Sequence, residues 1–279
     1  MKKVALITGA SSGIGLDTGL RLIDEGYKVY GAARRTDAMA ELVKKGGTAL
    51  YLNLCDERSI EECVKQVLEA EGQIDLLVNN AGFGLGGSIE EIPLEEAKKQ
   101  FDVNVFGMAK LIQLVLPSMR NQKSGKIINI SSMAGRFSSA FTGWYHATKY
   151  SVEALSDALR LETSPFGIKV VIVEPGLIQT NWGVIHGGNI RKYSGSGAYS
   201  KNAGNAARFY EKGYVERNDL TKPEVISKLI VKIAKAKNPK PRYAKGKFAL
   251  LYIFFKKHLT DRMFDRVSRI AMGLKKEKN

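Results

Sequence analysis

The sequence has few of the residues from which disulfide frameworks and metal centres are built. Its 279 residues include two cysteines, Cys55 and Cys63, and three histidines. The cysteines do not form a Cys-x-x-Cys pair, and no histidine cluster accompanies them. The sequence therefore argues against a disulfide framework and a zinc site, and it predicts no metal.

Long apolar runs are missing as well. No run approaches the roughly 18 residues that a membrane-spanning helix requires. The apolar run at residues 4–7 ends at Thr8 and Gly9, which is too short for the core of a signal peptide. We expect residues 4–7 to form the first strand of a cytoplasmic protein.

Positive charge is concentrated at one end of the chain. The net charge is +15, but residues 222–279 hold 17 Lys and Arg against four acidic residues, so the first 221 residues are near balance. A basic surface can bind nucleic acid, yet no recognition motif accompanies this one. We therefore predict no nucleic-acid partner.

Short apolar runs alternate with amphipathic segments along the first 180 residues. The runs lie at residues 4–7, 28–33, 49–54, 74–78, 126–130 and 169–173. Strands that alternate with helices predict an α/β fold, in which a doubly wound parallel sheet carries helices on both faces. With 44% hydrophobic residues and no clear linker, we expect a single domain over residues 1–279.

A glycine-rich turn follows the first predicted strand directly. Gly9, Gly13 and Gly15 are spaced as G-x-x-x-G-x-G and are followed by an amphipathic helix and a second strand. In this setting glycines let the backbone approach a pyrophosphate at a helix N-terminus. The alternative is a tight turn without a ligand, and the three glycines favour a dinucleotide site.

The end of the second strand indicates which dinucleotide is bound. Ala33 is followed by Arg34 and Arg35, and no carboxylate comes before Asp37. NAD sites favour an acidic residue here, whereas an arginine accommodates the 2′-phosphate of NADP. The arginines could instead be solvated surface residues, but beside the glycine turn they favour NADP(H) over NAD(H).

Tyr145 and Lys149 are four residues apart in a predicted helix, which places them on one face. A nearby ammonium favours the phenolate and lowers the pKa of a tyrosine. The pair could therefore transfer protons near neutral pH. By itself this spacing also occurs by chance.

The pattern changes after residue 180. Residues 181–221 are rich in Gly, Ser, Asn and Tyr and predict a long loop, interpreted as a substrate lid, with a disordered excursion as the alternative. A helix is predicted at residues 223–236, and the prolines at residues 237–243 predict an extended segment, which could form a last strand.

Residues 247–279 form a basic, apolar, helical extension. Arginines alternate with apolar residues between residues 261 and 274, a pattern that can lie on an anionic membrane surface. The same residues could instead cover a substrate pocket or a subunit interface. We favour the second interpretation and leave peripheral membrane contact open.

Six separated motifs together resemble the short-chain dehydrogenase/reductase family. They cover roughly residues 1–180 in the family's order and spacing: Thr8-Gly-x-x-x-Gly13-x-Gly15, Asn79-Asn-Ala-Gly82, Asn104, Ser132, Tyr145-x-x-x-Lys149 and Pro175-Gly176. The resemblance implies a Rossmann-like sheet. The tail is similar, more weakly, to the steroid- and retinol-dehydrogenase branch.

The resemblance implies roles for four catalytic residues. Tyr145 would be the general acid in carbonyl reduction and the base in alcohol oxidation, and Lys149 would lower its pKa and bond the nicotinamide ribose. Ser132 would hold the substrate oxygen, because it lies 13 residues before Tyr145, and Ser131 is the less favoured choice. Asn104 would anchor a water that relays protons to Lys149.

The resemblance also implies a set of cofactor contacts. Asn53 stands where the family often has an aspartate facing the adenine, and its carbonyl can still accept a hydrogen bond. The implied set is Gly9, Ser11, Ser12, Gly13, Ile14 and Gly15 at the phosphates, Arg34 with Ser12 near the 2′-phosphate, Asn53, Asn80 and Gly82 around the adenosine, and Pro175, Gly176, Ile178 and Thr180 at the nicotinamide, with Tyr145 and Lys149.

Family members are commonly dimers or tetramers through the helices that correspond to residues 95–119 and 145–163. The second of these is apolar on more than one side, so we expect a homodimer or homotetramer. His146 and His186 have no obvious orienting partner in the sequence. We expect both to be structural, with His186 a candidate for substrate contact.

The sequence thus predicts an NADP(H)-dependent oxidoreductase that interconverts a carbonyl and a secondary alcohol on a small lipophilic substrate. The alternative is a non-catalytic regulator that senses the cofactor with the same fold. The intact set of Ser132, Tyr145 and Lys149 favours the enzyme, because a regulator need not keep it.

Overall fold

A computed structural model describes residues 2–215 and 219–274 of the chain. Residues 216–218 of the predicted lid and residues 275–279 of the predicted extension lie outside the described residues.

Within the described residues, seven strands form one parallel sheet in the order β3-β2-β1-β4-β5-β6-β7. The strands are β1 Val4–Thr8, β2 Lys28–Ala33, β3 Thr48–Tyr51, β4 Leu76–Asn79, β5 Gly125–Ile130, β6 Ile168–Pro175 and β7 Arg242–Lys245. The order reverses between β1 and β4, which confirms the predicted Rossmann-like doubly wound sheet. The extended segment predicted at residues 237–243 leads into the edge strand β7.

The helices lie on both faces of this sheet. They are α1 Gly13–Asp24, α2 Ala40–Lys44, α3 Glu57–Glu71, α4 Leu94–Phe101, α5 Gly107–Asn121, α6 Gly143–Thr163, α7 Trp182–Ser194, α8 Ser200–Val215, α9 Pro223–Lys235, α10 Ala249–His258 and α11 Asp261–Ala271. Alternate residues of a strand point to opposite faces. In β1, Val4 and Leu6 therefore join the core with α3, α5 and α6, and Ala5 and Ile7 join the core with α1, α2 and α9.

The carboxyl ends of the central strands meet at one edge of the sheet. There β1 leads into the glycine turn, β4 into Asn80, β5 into Ser131 and Ser132, and β6 into Gly176. Ligands of open α/β sheets bind at this edge, beside the reversal of strand order. The predicted motifs are therefore gathered into one crevice by topology.

The prediction of a long irregular lid between residues 181 and 221 is wrong in its local structure, because most of the segment forms α7 and α8. Glycines allow these two helices to approach closely. A Cβ added to Gly183 would lie 2.0 Å from the ring of Tyr214, and one added to Gly187 would lie 2.7 Å from Glu211 Cγ. The glycine content that suggested a loop thus serves helix packing.

The C-terminal extension folds back over the segment that follows β5. Phe137 stacks on Tyr252 of α10 with ring centroids 5.1 Å apart, and its centroid lies 5.7 Å from that of Phe264 in α11. The described part of the extension is helical, as predicted. Among residues 2–215 and 219–274, no helix is long and apolar enough to cross a membrane.

Candidate active site

The glycine turn after β1 is held against the end of β4. Asn80 Nδ2 donates to the carbonyl of Thr8 at 3.0 Å, and Thr8 Oγ1 accepts from the backbone N–H groups of Asn80 and Ala81, each at 3.0 Å. A Cβ on Gly15 would lie 2.3 Å from the Gly9 carbonyl oxygen, and Gly9 itself has a φ of +67°. The turn therefore requires glycine at both positions.

A cleft of about 600 Å³ extends from this turn past the ends of β2 and β3. Helix α1 begins at Gly13, and Ser12 makes no side-chain capping bond, so N–H groups of the first turn are left for an anion. These backbone donors and glycines fit a dinucleotide. The predicted cofactor residues among the walls are Gly9, Ser11, Ser12, Gly13, Ile14, Arg34, Asn53, Asn80, Gly82 and Thr180.

Two arginines lie in the wall of the cleft beyond β2. Arg34 and Arg35 are both exposed, and neither forms an ion pair with a carboxylate in the described part of the chain. Asn53 nearby is neutral, and its Oδ1 accepts from the backbone N–H of Cys55 at 3.2 Å. This part of the cleft is suited to an anionic group such as a 2′-phosphate.

A smaller cavity of about 200 Å³ adjoins the cleft, with Ile14, Asn80, Gly82 and Thr180 in the walls of both. We call it the reaction cavity. It brings together the predicted residues Ser132, Tyr145, Lys149, Pro175, Gly176 and Ile178. Lys149 lies one helical turn beyond Tyr145 in α6, with its Nζ 5.8 Å from the centroid of the tyrosine ring.

Of the two serines after β5, Ser132 is the one that interacts with the phenol. Its Oγ accepts from the backbone N–H of Ala134 at 3.1 Å, and its interaction with Tyr145 lowers the pKa of the phenol. Ser131 also lines the cavity, but its Oγ has no hydrogen-bond partner among the described residues.

The expected lowering of the Tyr145 pKa is not found in the protein alone. Burial raises the pKa of Tyr145 to about 12, and this outweighs the opposite effect of Ser132. Burial also lowers the pKa of Lys149 to about 8, although Glu153 raises it. Lys149 Nζ donates to the carbonyl of Ile130 at 2.8 Å. Desolvation thus has the largest effect on the pKa values of both Tyr145 and Lys149.

Asn104 lies in a π-helical turn, Asp102–Phe106, between α4 and α5. Such turns interrupt a helix and are frequent at functional sites. Its Nδ2 donates to the carbonyl of Phe83 at 2.9 Å and to Thr148 Oγ1 at 3.1 Å, and its Oδ1 accepts from Phe83 N–H at 3.0 Å. A Cβ on Gly82 would lie 3.1 Å from Asn104 Oδ1 and 3.8 Å from Lys149 Nζ, so both groups border Gly82.

Part of the reaction cavity was not predicted as a site. Trp182 of α7 and Tyr210 and Tyr214 of α8 line it, and the ring centroid of Trp182 lies 5.3 Å from that of Tyr145. The only signal in the sequence was the position of this segment after the sixth strand. It indicated a cover for the site but not which side chains face inward.

The histidines have partners that the sequence did not indicate. His146 is hydrogen-bonded to the Ala134 carbonyl at 2.7 Å and to Ser139 Oγ at 2.9 Å, and His186 to Thr142 Oγ1 at 3.2 Å. Burial lowers the pKa of His146 to about 4 and that of His186 to about 3. Both rings are therefore neutral at physiological pH, which suits a structural role.

In the described ranges, no group of three or more His, Cys, Asp or Glu residues is placed to hold a metal ion.

Comparison with known proteins identifies the family to which these motifs point. The profile of the short chain dehydrogenase family matches residues 3–184. The chain is 36% identical over 275 residues to a 3-ketodihydrosphingosine reductase of Bacteroides thetaiotaomicron, covering 98% of this chain and 99% of that one. It is 32% identical over 276 residues to an NADPH-dependent 3-dehydrocapnine reductase of Ornithobacterium rhinotracheale, covering 95% of each.

Two solved structures are similar to this chain over most of its length. A short-chain dehydrogenase from Streptomyces avermitilis matches with a TM-score of 0.82 and 31% identity, covering 99% of both chains. A serine dehydrogenase in complex with NADP+ matches with a TM-score of 0.74 and 26% identity, covering 87% of this chain and 94% of that one.

Proposed function

This chain belongs to the short-chain dehydrogenase family, and we propose that it is an NADP(H)-dependent oxidoreductase that interconverts a carbonyl and a secondary alcohol. One observation carries the proposal. Ser132, Tyr145 and Lys149 line a cavity that shares wall residues with a cleft whose glycines and backbone donors fit a dinucleotide.

In the proposed reaction the cofactor supplies the hydride and the side chains supply the proton and orient the carbonyl. A bound NADPH would supply the hydride that adds to the carbonyl carbon. The phenol of Tyr145 donates its proton to the carbonyl oxygen, and Ser132 donates a hydrogen bond to the same oxygen. Lys149 holds positive charge beside the phenolate that remains, which lowers the cost of proton transfer. In the oxidation direction the phenolate takes the proton back.

The side chains around Gly82 can restore the proton of Tyr145. Asn104 and Lys149 both border this glycine, and the pKa of Lys149 is lowered by burial to about 8. A lysine with such a pKa exchanges protons near neutral pH. Asn104 would hold a water that passes these protons to Lys149, while its own amide stays fixed by Phe83 and Thr148.

The preference for NADP(H) rests on Arg34 and on the absence of a carboxylate between the end of β2 and Asp37. Exposed guanidinium groups without an ion pair can bind a 2′-phosphate by charge-assisted hydrogen bonds. A relative named as NADPH-dependent and a similar structure solved with NADP+ support the same choice. The nearby Asn53 adds no negative charge to oppose it.

The substrate is proposed to be a lipophilic ketone or its alcohol. Trp182, Tyr210 and Tyr214 make one side of the reaction cavity aromatic. Two relatives are named as a 3-ketodihydrosphingosine reductase and a 3-dehydrocapnine reductase, which supports a reducible carbonyl substrate here.

A panel of carbonyls and alcohols, followed at the nicotinamide absorbance with NADPH and with NADH, tests the proposal. We expect ketone reduction with a clear preference for NADPH. A regulator that only senses the cofactor would bind NADPH but turn over none of the panel, and that result would reject the enzyme. A preference for NADH would reject the role of Arg34 alone.

We propose that two chains associate through α4, α5 and α6. These helices and the π-helical turn between α4 and α5 leave large apolar side chains exposed, among them Leu94, Phe106, Leu155 and Leu161. Light scattering at micromolar concentration should give a dimer or tetramer, and Phe106→Glu with Leu161→Glu should give a smaller species. A monomeric wild type would contradict this proposal.

Peripheral membrane contact is a further proposal for the extension. In α11, Met263, Val267 and Ile270 form an exposed apolar stripe, and arginines lie beside it. Such a helix can rest on an anionic surface. The protein should sediment with vesicles that contain anionic lipid, and Val267→Glu with Ile270→Glu should abolish this. Equal, negligible sedimentation of both would exclude it.

A further inference from the structure

A second cavity lies beside the reaction cavity, and we call it the C-terminal chamber. Its volume is about 660 Å³, whereas the reaction cavity has about 200 Å³. The two cavities adjoin, since six residues occur in the walls of both: Met133, Phe137, Ser139, Leu177, Tyr210 and Tyr214. The chamber therefore lies beside the position that the reacting end of a substrate would occupy at Tyr145.

The chamber offers apolar surface and few free polar groups. Phe209, Phe248, Tyr252 and Met272 contribute to its walls. Two of the polar side chains are already engaged within the protein. The hydroxyl of Tyr210 is 3.0 Å from Thr142 Oγ1, and Ser139 Oγ is 2.9 Å from His146 Nε2.

Charge is nearly absent from this cavity as well. Among the described residues that line it, Lys212 alone is charged, and Lys212 is exposed to solvent. Pockets of this composition bind ligands by burying apolar area. A charged substituent would lose water there and gain few partners.

The outer wall of the chamber is formed by the C-terminal extension. Tyr252 of α10 and Ser268, Ala271 and Met272 in or after α11 face it. Met272 is buried and joins the apolar cluster of α7 and α8. The extension thus closes a cavity that the doubly wound sheet alone would leave open, which gives its inward face a role separate from any membrane contact.

From this arrangement we propose that the C-terminal chamber binds the long unbranched hydrocarbon chain of a ketone whose oxygen is held by Ser132 and Tyr145. The inference rests on the proposed function and narrows its substrate class. A small reaction cavity joined to a large apolar chamber suits a molecule that is thin at its reacting end. A flexible chain meets this condition, whereas a fused ring system is wide along its whole length.

A homologous series of methyl ketones, from hexanone to tetradecanone, tests the proposal with the full chain and NADPH. Each methylene buried in the chamber should raise kcat/KM about threefold to fourfold until the chamber is full, after which the profile levels off. A bicyclic ketone of similar carbon count should be a poor substrate. A profile that is flat from hexanone onward, or a preference for the bicyclic ketone, would overturn the proposal.

Two tryptophan variants on one helix separate the chamber from the surface. Ser268→Trp fills the chamber and should lower kcat/KM for tetradecanone about tenfold or more while leaving hexanone nearly unchanged. Ile270→Trp is the matched control, because Ile270 is 71% exposed on the same helix. It should behave as wild type with both ketones. Equal effects of the two variants would count against the chamber.

A second variant with a smaller added side chain keeps the test valid if Ser268→Trp does not fold. NADPH binding, measured by its fluorescence, shows whether Ser268→Trp is folded. If it is not, Ala271→Leu should shorten the longest chain that is still favoured, and an unchanged profile would reject the proposal.

Binding without turnover distinguishes this proposal from the proposed function. Tyr145→Phe loaded with NADPH should bind tetradecanone far more tightly than hexanone. If wild type reduces no ketone but this preference in binding remains, the enzyme proposal fails and the chamber stands. If all lengths are reduced equally and bound equally, the chamber fails and the enzyme proposal stands.

Discussion

The cleft at the glycine turn and the C-terminal chamber have nearly the same volume, about 600 and about 660 Å³, but they are built from different parts of the chain. We call the first the cofactor cleft, after the ligand proposed for it. The cleft is largely a backbone structure, made of strand ends, the glycine turn and the start of α1. The chamber is largely a side-chain structure, made of aromatic and aliphatic residues from α8, α10 and α11. The cleft has a larger share of polar surface, including Arg34 and Arg35, whereas the chamber is mostly apolar.

This difference has consequences for how each region responds to substitution. A backbone site tolerates few changes, because a Cβ on Gly9 or Gly15 would collide with neighbouring backbone. A side-chain site can be reshaped by one residue while the fold is kept. Changes in the cleft should therefore alter cofactor binding alone, and changes around the chamber should alter substrate binding alone. The following predictions test this separation.

The largest effect is expected at Tyr145, in the reaction cavity that adjoins both regions. Tyr145→Phe removes the proton donor while keeping the ring, so turnover should fall about a thousandfold. The dissociation constant of NADPH should stay within about twofold, because the cofactor cleft is unchanged. Fluorescence titration and steady-state kinetics measure the two quantities.

The control for Tyr145→Phe is Tyr150→Phe, which changes an exposed tyrosine of the same helix. It should leave turnover unchanged. Retained activity in Tyr145→Phe would contradict the assignment of Tyr145 as the general acid.

The next effect is expected at Arg34, in the cleft alone. Arg34→Ala should weaken NADPH binding about tenfold to hundredfold, since a hydrogen bond to a charged group contributes about 1.5–3 kcal/mol. NADH binding and the response to ketone chain length should not change. Arg58→Ala removes an exposed arginine elsewhere and should have no effect. Equal losses for both nucleotides would show that Arg34 does not contact the 2′-phosphate.

A smaller effect, confined to the substrate side, is expected at Gly183. Gly183→Val pushes α7 away from Tyr214 of α8, because even a Cβ would lie 2.0 Å from that ring. The KM for a ketone should rise about tenfold, and the free energy of unfolding should fall by about 2 kcal/mol. NADPH binding should be preserved.

Gly188 provides the matched control for this helix. A Cβ there has nothing within 4 Å, so Gly188→Ala should be neutral or should stabilise the protein by about 0.5 kcal/mol. If Gly183→Val weakens NADPH and ketone binding equally, the two regions are not separable.

The two regions also differ in what the sequence reveals. Gly9, Gly13 and Gly15 follow a strand and mark the cleft directly, and the spacing of Ser132, Tyr145 and Lys149 placed them in one crevice. The helices α7 and α8 were missed because glycine opposes helix formation locally. They form through tertiary contact, as at Gly183 with Tyr214. That contact joins residues whose pairing no local pattern shows.

The pKa of Tyr145 was mispredicted for a related reason. The distance to Lys149 along the helix is visible in the sequence, whereas the degree of burial is not. Desolvation depends on Trp182 and other residues far along the chain that cover the phenol. The effect of a neighbouring charge on a pKa can be predicted from the sequence. The effect of burial cannot, because burial depends on the whole fold.

The smallest effect is expected in the stability of the protein without cofactor, at Lys149. Burial lowers the pKa of Lys149 from 10.5 to about 8, so below pH 8 the folded protein holds a charge that the unfolded chain would solvate better. Lys149→Met removes this cost but also leaves the Ile130 carbonyl without its 2.8 Å donor. The two effects oppose each other, and at pH 7 the variant should be more stable by about 1 kcal/mol.

This advantage should depend on pH. As pH rises from 8 to 10.5, the unfolded wild type still binds a proton that the folded protein has lost, so wild-type stability increases and the advantage of the variant disappears. Urea unfolding of both proteins at pH 7 and pH 10 measures the difference. An advantage that is the same at both pH values would mean that the charge of Lys149 carries no cost, and that burial beside Tyr145 does not set the chemistry of the pair.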